Sequence, residues 1–221
     1  MNDHPLKRVL VVTAVDAERE AALRGFRGDP RFHVVAAGVG PAHAAAGAAF
    51  ELAAGGYALA VSAGIGGGFP GRAAIGAAVV ADAIHAADWG SETPEGFASV
   101  DDLGFGRSRF AVDAALAARW TEAMRERGFD AVLGPIATVS TATGTAATAA
   151  AVAARVPGAA AEAMEGAGVA AAAARAGVPV LEVRGISNAV GPRDRAAWRI
   201  KDALAALEAA CAILAEVLSD Q

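Results

Sequence analysis

The sequence predicts a three-layer α/β fold, with a central mixed, mostly parallel sheet flanked by helices on both faces. Short apolar runs rich in valine alternate along the 221 residues with alanine-rich segments of helical spacing. Strands that are apolar along their whole length are typical of parallel sheets covered on both faces. Glycine and proline at the ends of these segments mark the boundaries between elements.

The elements are predicted in order from the first apolar run. Residues 9–13 predict a buried strand, and the segment from Asp16 through Phe26 predicts a helix, because acidic side chains are favoured in a first helical turn. Apolar runs predict further strands at residues 33–37, 58–63, 77–83, 131–139, 159–164 and 178–184. Helices are predicted from the 38–41 turn to about residue 54, and at residues 113–128, 145–154, 166–176 and 195–218. Because no linker or repeat interrupts this order, residues 1–221 are expected to form a single domain.

Two segments depart from this alternation. The stretch 88–109 has no periodicity, and its aromatic residues Trp89, Phe97 and Phe105 predict a long packed loop. The glycine-rich stretch 64–71 follows a strand and predicts a tight turn with positive φ. It does not predict a nicotinamide site, because Phe69-Pro70-Gly71 stands where a dinucleotide-binding helix should begin.

The composition excludes several classes of protein. With 19 basic and 24 acidic side chains and a formal net charge of −5, the chain offers no basic surface for nucleic acid or an anionic membrane. The first apolar run is too short for a signal sequence or a membrane span, so a cytoplasmic protein with a small-molecule ligand is expected. The only cysteine, Cys211, stands at helical spacing from Leu207 and Leu214 and predicts a buried, inert thiol.

Neither a metal site nor a serine nucleophile is indicated by residue spacing. Ser62 and Ser140 do not stand in a nucleophile-elbow sequence. The histidines are scattered without ligand spacing, so no metal and no organic cofactor is expected. They are His4, His33, His43 and His85.

Three polar side chains follow predicted buried strands, where side chains converge on a pocket. Glu18 comes just after the first strand, Glu165 follows Ala163-Met164, and Asn188 follows the last strand, after Val183-Arg-Gly-Ile-Ser187. A carboxylate at the end of an apolar run needs a partner or a ligand, because burying it alone costs several kcal/mol. The three residues are therefore the candidate site, although each alone is also compatible with a structural role.

Four segments, in this order, resemble the nucleoside phosphorylase/nucleosidase superfamily, above all its methylthioadenosine/S-adenosylhomocysteine nucleosidase branch and the related futalosine hydrolases. The pair formed by Met-Glu and, about twenty residues later, Arg-x-Ile-Ser-Asn is the most specific part. The segments are Thr13-Ala-Val-Asp-Ala-Glu18, Ser62-Ala-Gly64-Ile-Gly66-Gly67, Ala163-Met164-Glu165-Gly166-Ala167 and Arg184-Gly-Ile-Ser187-Asn188.

The resemblance implies a nucleoside phosphorylase-like fold and a role for each matching residue. Glu18 matches the acid that activates the attacking water, Met164 the residue packed beside the sugar, and Glu165 the carboxylate that accepts hydrogen bonds from the ribose hydroxyls. Ser187 and Asn188 match a pair that is Ser-Asp in adenine-specific nucleosidases. Gly64, Thr141 and Thr143 are further expected substrate-binding residues.

Asn188 departs from the adenine-specific pattern, and the departure has a chemical meaning. Adenine presents an acceptor at N7 and an amino donor, whereas hypoxanthine presents acceptors at N7 and O6. An ionised Asp only accepts hydrogen bonds, whereas Asn offers two N–H donors and an acceptor. The residue type therefore favours a 6-oxopurine, because the wrong edge would leave a buried polar atom unpaired at a cost of about 1–3 kcal/mol.

Two further features favour hydrolysis of futalosine. The arginine-containing run of the superfamily's phosphorylases is missing near the glycine-rich stretch, where Arg72 is compatible with plain surface. The segment 87–97 and Leu103-Gly-Phe105 resemble an insertion of the futalosine hydrolases, which release hypoxanthine from futalosine in menaquinone biosynthesis. Phe97 and Phe105 are then expected to line the benzoate-bearing 5′ arm of the substrate, with loop packing as the equal alternative.

Other functions stay open at this point. They are an adenine-releasing methylthioadenosine nucleosidase, a 6-oxopurine nucleoside phosphorylase, and a catalytically silent binding protein on the same fold. The resemblance also implies a homodimer or larger homo-oligomer, as is usual in this family. The 88–109 segment is the candidate to contact the neighbouring chain.

Overall fold

The computed structural model describes residues 8 to 219, and these form ten strands and six α-helices. His4 lies outside the described residues. The strands are β1 (Arg8–Thr13), β2 (Phe32–Ala36), β3 (Tyr57–Gly68), β4 (Ala78–Ala86), β5 (Gly90–Thr93), β6 (Gly96–Ser99), β7 (Arg109–Ala111), β8 (Ala131–Thr138), β9 (Ala161–Ala163) and β10 (Val180–Ala189). The helices are α1 (Asp16–Phe26), α2 (Pro41–Ala53), α3 (Ala114–Glu126), α4 (Ala146–Arg155), α5 (Gly166–Ala176) and α6 (Ile200–Ser219), with a short 3-10 helix at Arg195–Ala197.

Eight strands form one mixed sheet in the order β10-β4-β8-β9-β3-β1-β2, with β7 paired to β4. Strand β3 also pairs with β10, so β3, β10, β4, β8 and β9 close into a ring from which β1 and β2 extend. Five of the pairings are parallel: β1 with β2, β1 with β3, β3 with β10, β4 with β8, and β8 with β9. The predicted mixed, mostly parallel sheet is confirmed.

Helices cover the sheet on both faces, and alternate side chains of β1 pack against the helices of each face. Side chains alternate between the faces of a strand. Val9 and Val11 pack in one core with residues of α1, α3 and α6, whereas Leu10 and Val12 pack in a second core with residues of α2 and α5. A strand buried on both faces must be apolar at every position, which explains the continuous run.

Most of the predicted elements are confirmed within one or two residues, and α5 has the predicted bounds. Helices α3 and α4 begin where Asp113 and Thr145 accept hydrogen bonds from the Leu116 and Thr148 N–H groups. Such side-chain caps satisfy N–H groups that have no partner within the helix. The prediction for Cys211 is also confirmed, since its thiol is buried in the first core and burial raises its pKa.

Four predictions of local structure are wrong. The stretch 88–109 is not an irregular loop, because β5 and β6 pair in an antiparallel hairpin within it. The last helix begins at Ile200 rather than at residue 195, and β10 extends to Ala189. Residues 64–68 continue β3 instead of forming a turn, and in the 64–71 stretch only Gly71 has a positive φ, of 76°.

The glycines of β3 are explained by close approach of other groups. A Cβ at Gly64 would lie 2.7 Å from both Arg184 Nη1 and Glu18 Oε1, and a Cβ at Gly66 would lie 2.6 Å from the Glu162 carbonyl oxygen. Neighbouring backbone and charged side chains therefore occupy the space that side chains would need. The glycines of β3 therefore allow these groups to pack directly against the strand backbone, and Gly66 and Gly67 line a cavity.

Candidate active site

A cavity of about 310 Å³ lies at the carboxyl ends of β1, β3, β9 and β10. Six of the ten residues that the sequence predicts as site residues line it: Glu18, Thr143, Met164, Glu165, Ser187 and Asn188. A second cavity, of about 440 Å³, lies at the opposite ends of the strands, near Val9, Leu59 and Pro179. The sequence-predicted residues thus converge on the cavity where α/β proteins place their ligands.

Glu18 is held in the cavity wall by backbone N–H groups. One carboxylate oxygen accepts hydrogen bonds from Ala14 N (2.9 Å) and Val15 N (3.2 Å), and the other accepts one from Ile65 N (2.8 Å). The residue is in the first turn of α1 and is buried, yet it lines the cavity. Three donors from two segments fix a carboxylate whose remaining lone pairs are available to a ligand or a water.

Glu165 occupies the junction between β9 and α5. Its Oε1 accepts a hydrogen bond from Gly40 N (3.1 Å), and its Oε2 accepts hydrogen bonds from Met164 N (3.3 Å) and from Arg184 Nη1 (3.0 Å). It is the N-cap residue of α5, where the helix dipole favours a negative charge. Glu165 therefore presents a fixed carboxylate to the cavity.

Arg184 is the buried cation behind this carboxylate. Its Nε donates to Glu182 Oε1 (2.9 Å) and its Nη2 donates to Ser62 Oγ (2.8 Å), in addition to the bond from Nη1 to Glu165. Arg184 and Glu182 are 1% exposed or less. A charge buried this deeply is tolerated only when it is paired and hydrogen-bonded. Burial raises the pKa of Glu182 to about 7 although Arg184 opposes the shift, while the neighbouring carboxylates raise the pKa of Arg184.

Ser187 and Asn188 form the polar group at the other end of the cavity. The Ser187 hydroxyl lies 2.8 Å from Asn188 Oδ1 and 3.1 Å from the Gly66 carbonyl oxygen, and Asn188 Nδ2 donates to the Ala189 carbonyl oxygen (3.0 Å). An amide nitrogen carries two hydrogens. One hydrogen of Asn188 Nδ2 is used by the backbone, and the other is available as a donor.

Glu162 is a further carboxylate of the cavity that the sequence did not single out. Its Oε1 accepts a hydrogen bond from Thr143 N (2.9 Å), and its Oε2 accepts one from the Thr143 hydroxyl. Burial raises its pKa, against the opposing effect of the two hydrogen bonds from Thr143. Glu162 thus joins β9 to the loop that follows β8.

The remaining four predicted residues do not line this cavity. Gly64 lies behind Glu18, as described above, and Thr141 is exposed in the loop that follows β8. Phe97 is in β6 under the guanidinium of Arg155, 4.0 Å from its ring centroid, and the Phe105 side chain is 82% exposed. Within residues 8 to 219 of one chain, the two phenylalanines therefore do not contribute to the lining of the candidate site.

Two further arginines are placed by the structure: Arg72, whose role the sequence left open, and Arg193, which it did not single out. Arg193 lines the cavity, and its guanidinium lies 5.2 Å from the ring centroid of Trp198, which lines the cavity too. Arg72 is exposed and does not line the cavity. In the described part of the chain, no cluster of His, Cys, Asp and Glu is arranged to hold a metal ion, and no helix is both long and apolar enough to cross a membrane.

One signal in the sequence pointed to the buried ion pairs. Glu182 and Arg184 stand two apart in an otherwise apolar strand, so their side chains share one face. Opposite charges on one face of a buried strand predict an ion pair. Glu162 gave a similar signal as the only charged residue in the 159–164 run.

Comparison with known proteins identifies the relatives of this chain. The model of the phosphorylase superfamily matches residues 13–220. The futalosine hydrolase of Streptomyces coelicolor is 52% identical, over 95% of this chain and 96% of its own length. The futalosine hydrolase of Acidothermus cellulolyticus is 45% identical, over 93% of this chain and 89% of its own length.

Solved structures with low identity share the fold. The futalosine hydrolase of Helicobacter pylori has a TM-score of 0.80 at 18% identity, and covers 98% of this chain and 99% of its own. The methylthioadenosine/S-adenosylhomocysteine nucleosidase of S. pneumoniae has a TM-score of 0.82 at 18% identity, and covers 96% and 99%. The similarity extends over nearly the whole of each chain.

Proposed function

The chain belongs to the phosphorylase superfamily and, within it, to the futalosine hydrolases, and we propose that it hydrolyses the N-glycosidic bond of futalosine and releases hypoxanthine. The 52% identity to the Streptomyces coelicolor enzyme along nearly the whole chain carries this proposal. The cavity supports it, because the carboxylates of Glu18 and Glu165 stand at one end and the amide donor of Asn188 at the other. The products are hypoxanthine and dehypoxanthine futalosine, an intermediate of menaquinone biosynthesis.

The carboxylate end of the cavity suits the sugar and the water. As the bond between C1′ and N9 lengthens, positive charge develops on the ribosyl group. The fixed Glu165 carboxylate accepts hydrogen bonds from the ribose hydroxyls, and its attraction for this cation strengthens only as the charge forms. Glu18 takes the proton of the water that adds to C1′.

The amide end suits the departing base. Negative charge accumulates on the purine as it leaves, and the free hydrogen of Asn188 Nδ2 stabilises it at N7 or O6. The Ser187 hydroxyl fixes the amide by donating to its Oδ1. An amide at this position needs no protonation to act as a donor, in contrast to an aspartate.

The placement of Arg72 supports water rather than phosphate as the nucleophile. Its side chain is exposed and lies outside the cavity lining, whereas Glu18 is in the cavity wall. A hydrolase needs a base for water and no cationic phosphate site. We therefore propose hydrolysis rather than phosphorolysis.

We also propose that the chain works in the cytoplasm as a homodimer or larger homo-oligomer. Val39, which lines the cavity, is 51% exposed, and Phe50 on α2 is 80% exposed. The family resemblance implies such an assembly, and an exposed apolar side chain at the cavity is available to contact a second copy of the chain. Light scattering after size exclusion tests this assembly, and a monomeric mass at micromolar concentration would contradict it.

The experiment for the proposed activity is an incubation with futalosine, inosine or methylthioadenosine, each with and without phosphate. Chromatography of the products identifies the base. We expect hypoxanthine from futalosine at the same rate with and without phosphate. Adenine release from methylthioadenosine as the main activity, or turnover only with phosphate, would overturn the proposal.

A further inference from the structure

Glu162 is a cavity-lining carboxylate for which the proposed mechanism has no use. It is 7% exposed, its pKa is raised by burial, and in the strand register it stands opposite Gly67, which also stands opposite Asn188 at the base end of the cavity. Burial disfavours the ionised form of a carboxyl group, and each additional N–H donor stabilises that ionised form. Among the described residues, the hydrogen bonds to the Glu162 carboxylate come from the Thr143 N–H and hydroxyl, so its remaining lone pairs are available to a donor on the ligand.

The sheet places Glu162 and Asn188 on either side of a glycine. Glu162 in β9 stands opposite Gly67 in β3, and Gly67 stands opposite Asn188 in β10. Both side chains line the cavity, and neighbouring strands are about 4.8 Å apart, so Glu162 and Asn188 stand about 10 Å apart at the backbone, one strand to either side of Gly67. A Cβ at Gly67 would lie 3.2 Å from Asn188 Nδ2, so the absent side chain keeps the space between Glu162 and Asn188 open.

The two flanking groups have the hydrogen-bonding pattern of a 6-oxopurine edge. Such a base presents acceptors at N7 and O6 and a donor at N1–H, whereas a 6-aminopurine presents a lone pair at N1 and a donor at its amino group. Asn188 offers a donor on one side, and Glu162 offers acceptor oxygens on the other. Glu162 also occupies the Thr143 N–H, which would otherwise be a donor available to the N1 lone pair of adenine.

We propose that Glu162 is a specificity-determining residue that accepts a hydrogen bond from N1–H of the 6-oxopurine, opposite Asn188. The inference rests on the proposed function, because it assigns a partner to the base of that same reaction. It explains why a carboxylate is buried at this position of β9. It also divides recognition of the base between two strands that flank β3.

Glu162→Gln is the informative substitution. The glutamine keeps an oxygen for Thr143 N and gains an NH₂ group for the Thr143 hydroxyl, so the loop stays anchored while the acceptor facing the base is weakened. The readout is the ratio of kcat/KM for futalosine to kcat/KM for its 6-amino counterpart. We expect this ratio to fall by about tenfold or more, because a mismatched buried hydrogen-bonding pair costs that much.

Asp88→Asn is the matched control, because it removes the same charge. Asp88 accepts a hydrogen bond from Ser140 N in the loop that follows β8, and it raises the pKa of Glu162 through space, yet it does not line the cavity. We expect this variant to keep the wild-type ratio within about twofold. A ratio in Glu162→Gln that stays within twofold of the wild type would overturn the proposal and reduce Glu162 to an anchor for Thr143.

Binding of the free bases separates this inference from the proposed function. Calorimetry with hypoxanthine and adenine needs no turnover, so it reports on Glu162 even if the wild-type chain does not hydrolyse futalosine. We expect the wild type to bind hypoxanthine more tightly than adenine. In Glu162→Gln the ratio of the two dissociation constants should shift toward adenine by about tenfold. An unchanged preference in the variant would contradict the role of Glu162, whatever the substrate.

Discussion

The two ends of the cavity are built from different chemistry. At one end, Glu18 and Glu165 are at most 5% exposed, and three N–H groups or a buried arginine hold each carboxylate. At the other end, Asn188 is half-buried and is fixed by one hydroxyl and one backbone carbonyl. Rigid charges thus stand where charge develops in the proposed reaction, and a neutral amide, with Glu162 opposite it, stands where a neutral base must be distinguished.

Substitution at the charged end should have the largest effect. Glu18→Gln keeps the shape of the side chain but removes the base for water and at least one hydrogen bond from a backbone N–H, because an amide NH₂ cannot accept one, so kcat for futalosine should fall by about 10² to 10⁴. Binding of the substrate, measured by calorimetry, should change little. Glu20→Gln on the exposed face of α1 is the control. A kcat within a few-fold of the wild type would remove Glu18 from the mechanism.

At the base end the expected effect is smaller. Asn188→Asp replaces the donor that faces N7 and O6 with an acceptor, and kcat/KM for futalosine should fall by about 10- to 100-fold. Steady-state kinetics at neutral pH provide the measurement. If the substitution left kcat/KM unchanged, Asn188 would not contact the base, and the contrast between the two ends would fail.

Gly64→Ala tests how closely the charged end is packed. The new Cβ would lie 2.7 Å from Arg184 Nη1 and Glu18 Oε1, so one of these charged groups must move. We expect a loss of about 1–3 kcal/mol in the free energy of unfolding, measured in urea, together with a lower kcat. At Gly106 a Cβ meets nothing nearer than 3.9 Å, so Gly106→Ala is the matched control. If Gly64→Ala kept the stability and kcat of the wild type, Arg184 and Glu18 would have room to move away from a Cβ at this position.

The buried Glu182 should make stability depend on pH. Its pKa is raised to about 7 in the folded protein, chiefly by burial, and is near 4.5 when the chain unfolds. The folded state therefore binds more protons than the unfolded state between these values, and stability is lost as the pH rises through this window. Glu182→Gln should remove a decrease on the order of 1–2 kcal/mol between pH 5 and pH 7, seen in urea unfolding.

Glu122→Gln, at an exposed position of α3, is the control for Glu182→Gln. This control should retain the decrease of the wild type. If Glu182→Gln and the wild type showed the same dependence on pH, the carboxyl of Glu182 would not hold a raised pKa, and Arg184 would be the dominant influence on it.

Local patterns in the sequence were sufficient for most of the fold. The apolar run of β1 and the small residues of α5 were recognisable because each segment repeats one pattern over several residues. The β5–β6 hairpin was not predicted, because its strands have four residues each and hold too few apolar side chains to show a period. The glycines of β3 were misinterpreted, because the reason for them is the proximity of Arg184 and Glu162, which are distant in sequence.

The candidate site was predictable only in part, for the same reason. Glu18, Glu165 and Asn188 follow predicted strands, so the topology of an α/β fold brings them together. The roles of Arg184, Glu182 and Glu162 depend on which strands are neighbours, and the order β9-β3-β10 across the site does not follow from local pattern. For Phe97 and Phe105 the resemblance left contact with the substrate and loop packing as equal alternatives, and the cavity of one chain does not include them.

The most direct test compares futalosine with its 6-amino counterpart for the wild-type chain in the absence of phosphate. The two substrates share the sugar and the 5′ arm, so the ratio of their kcat/KM values reports only on the base. A donor at Asn188 and an acceptor at Glu162 predict that futalosine is favoured by about two orders of magnitude. Equal efficiency, or a preference for the 6-amino compound, would contradict the account of the base end.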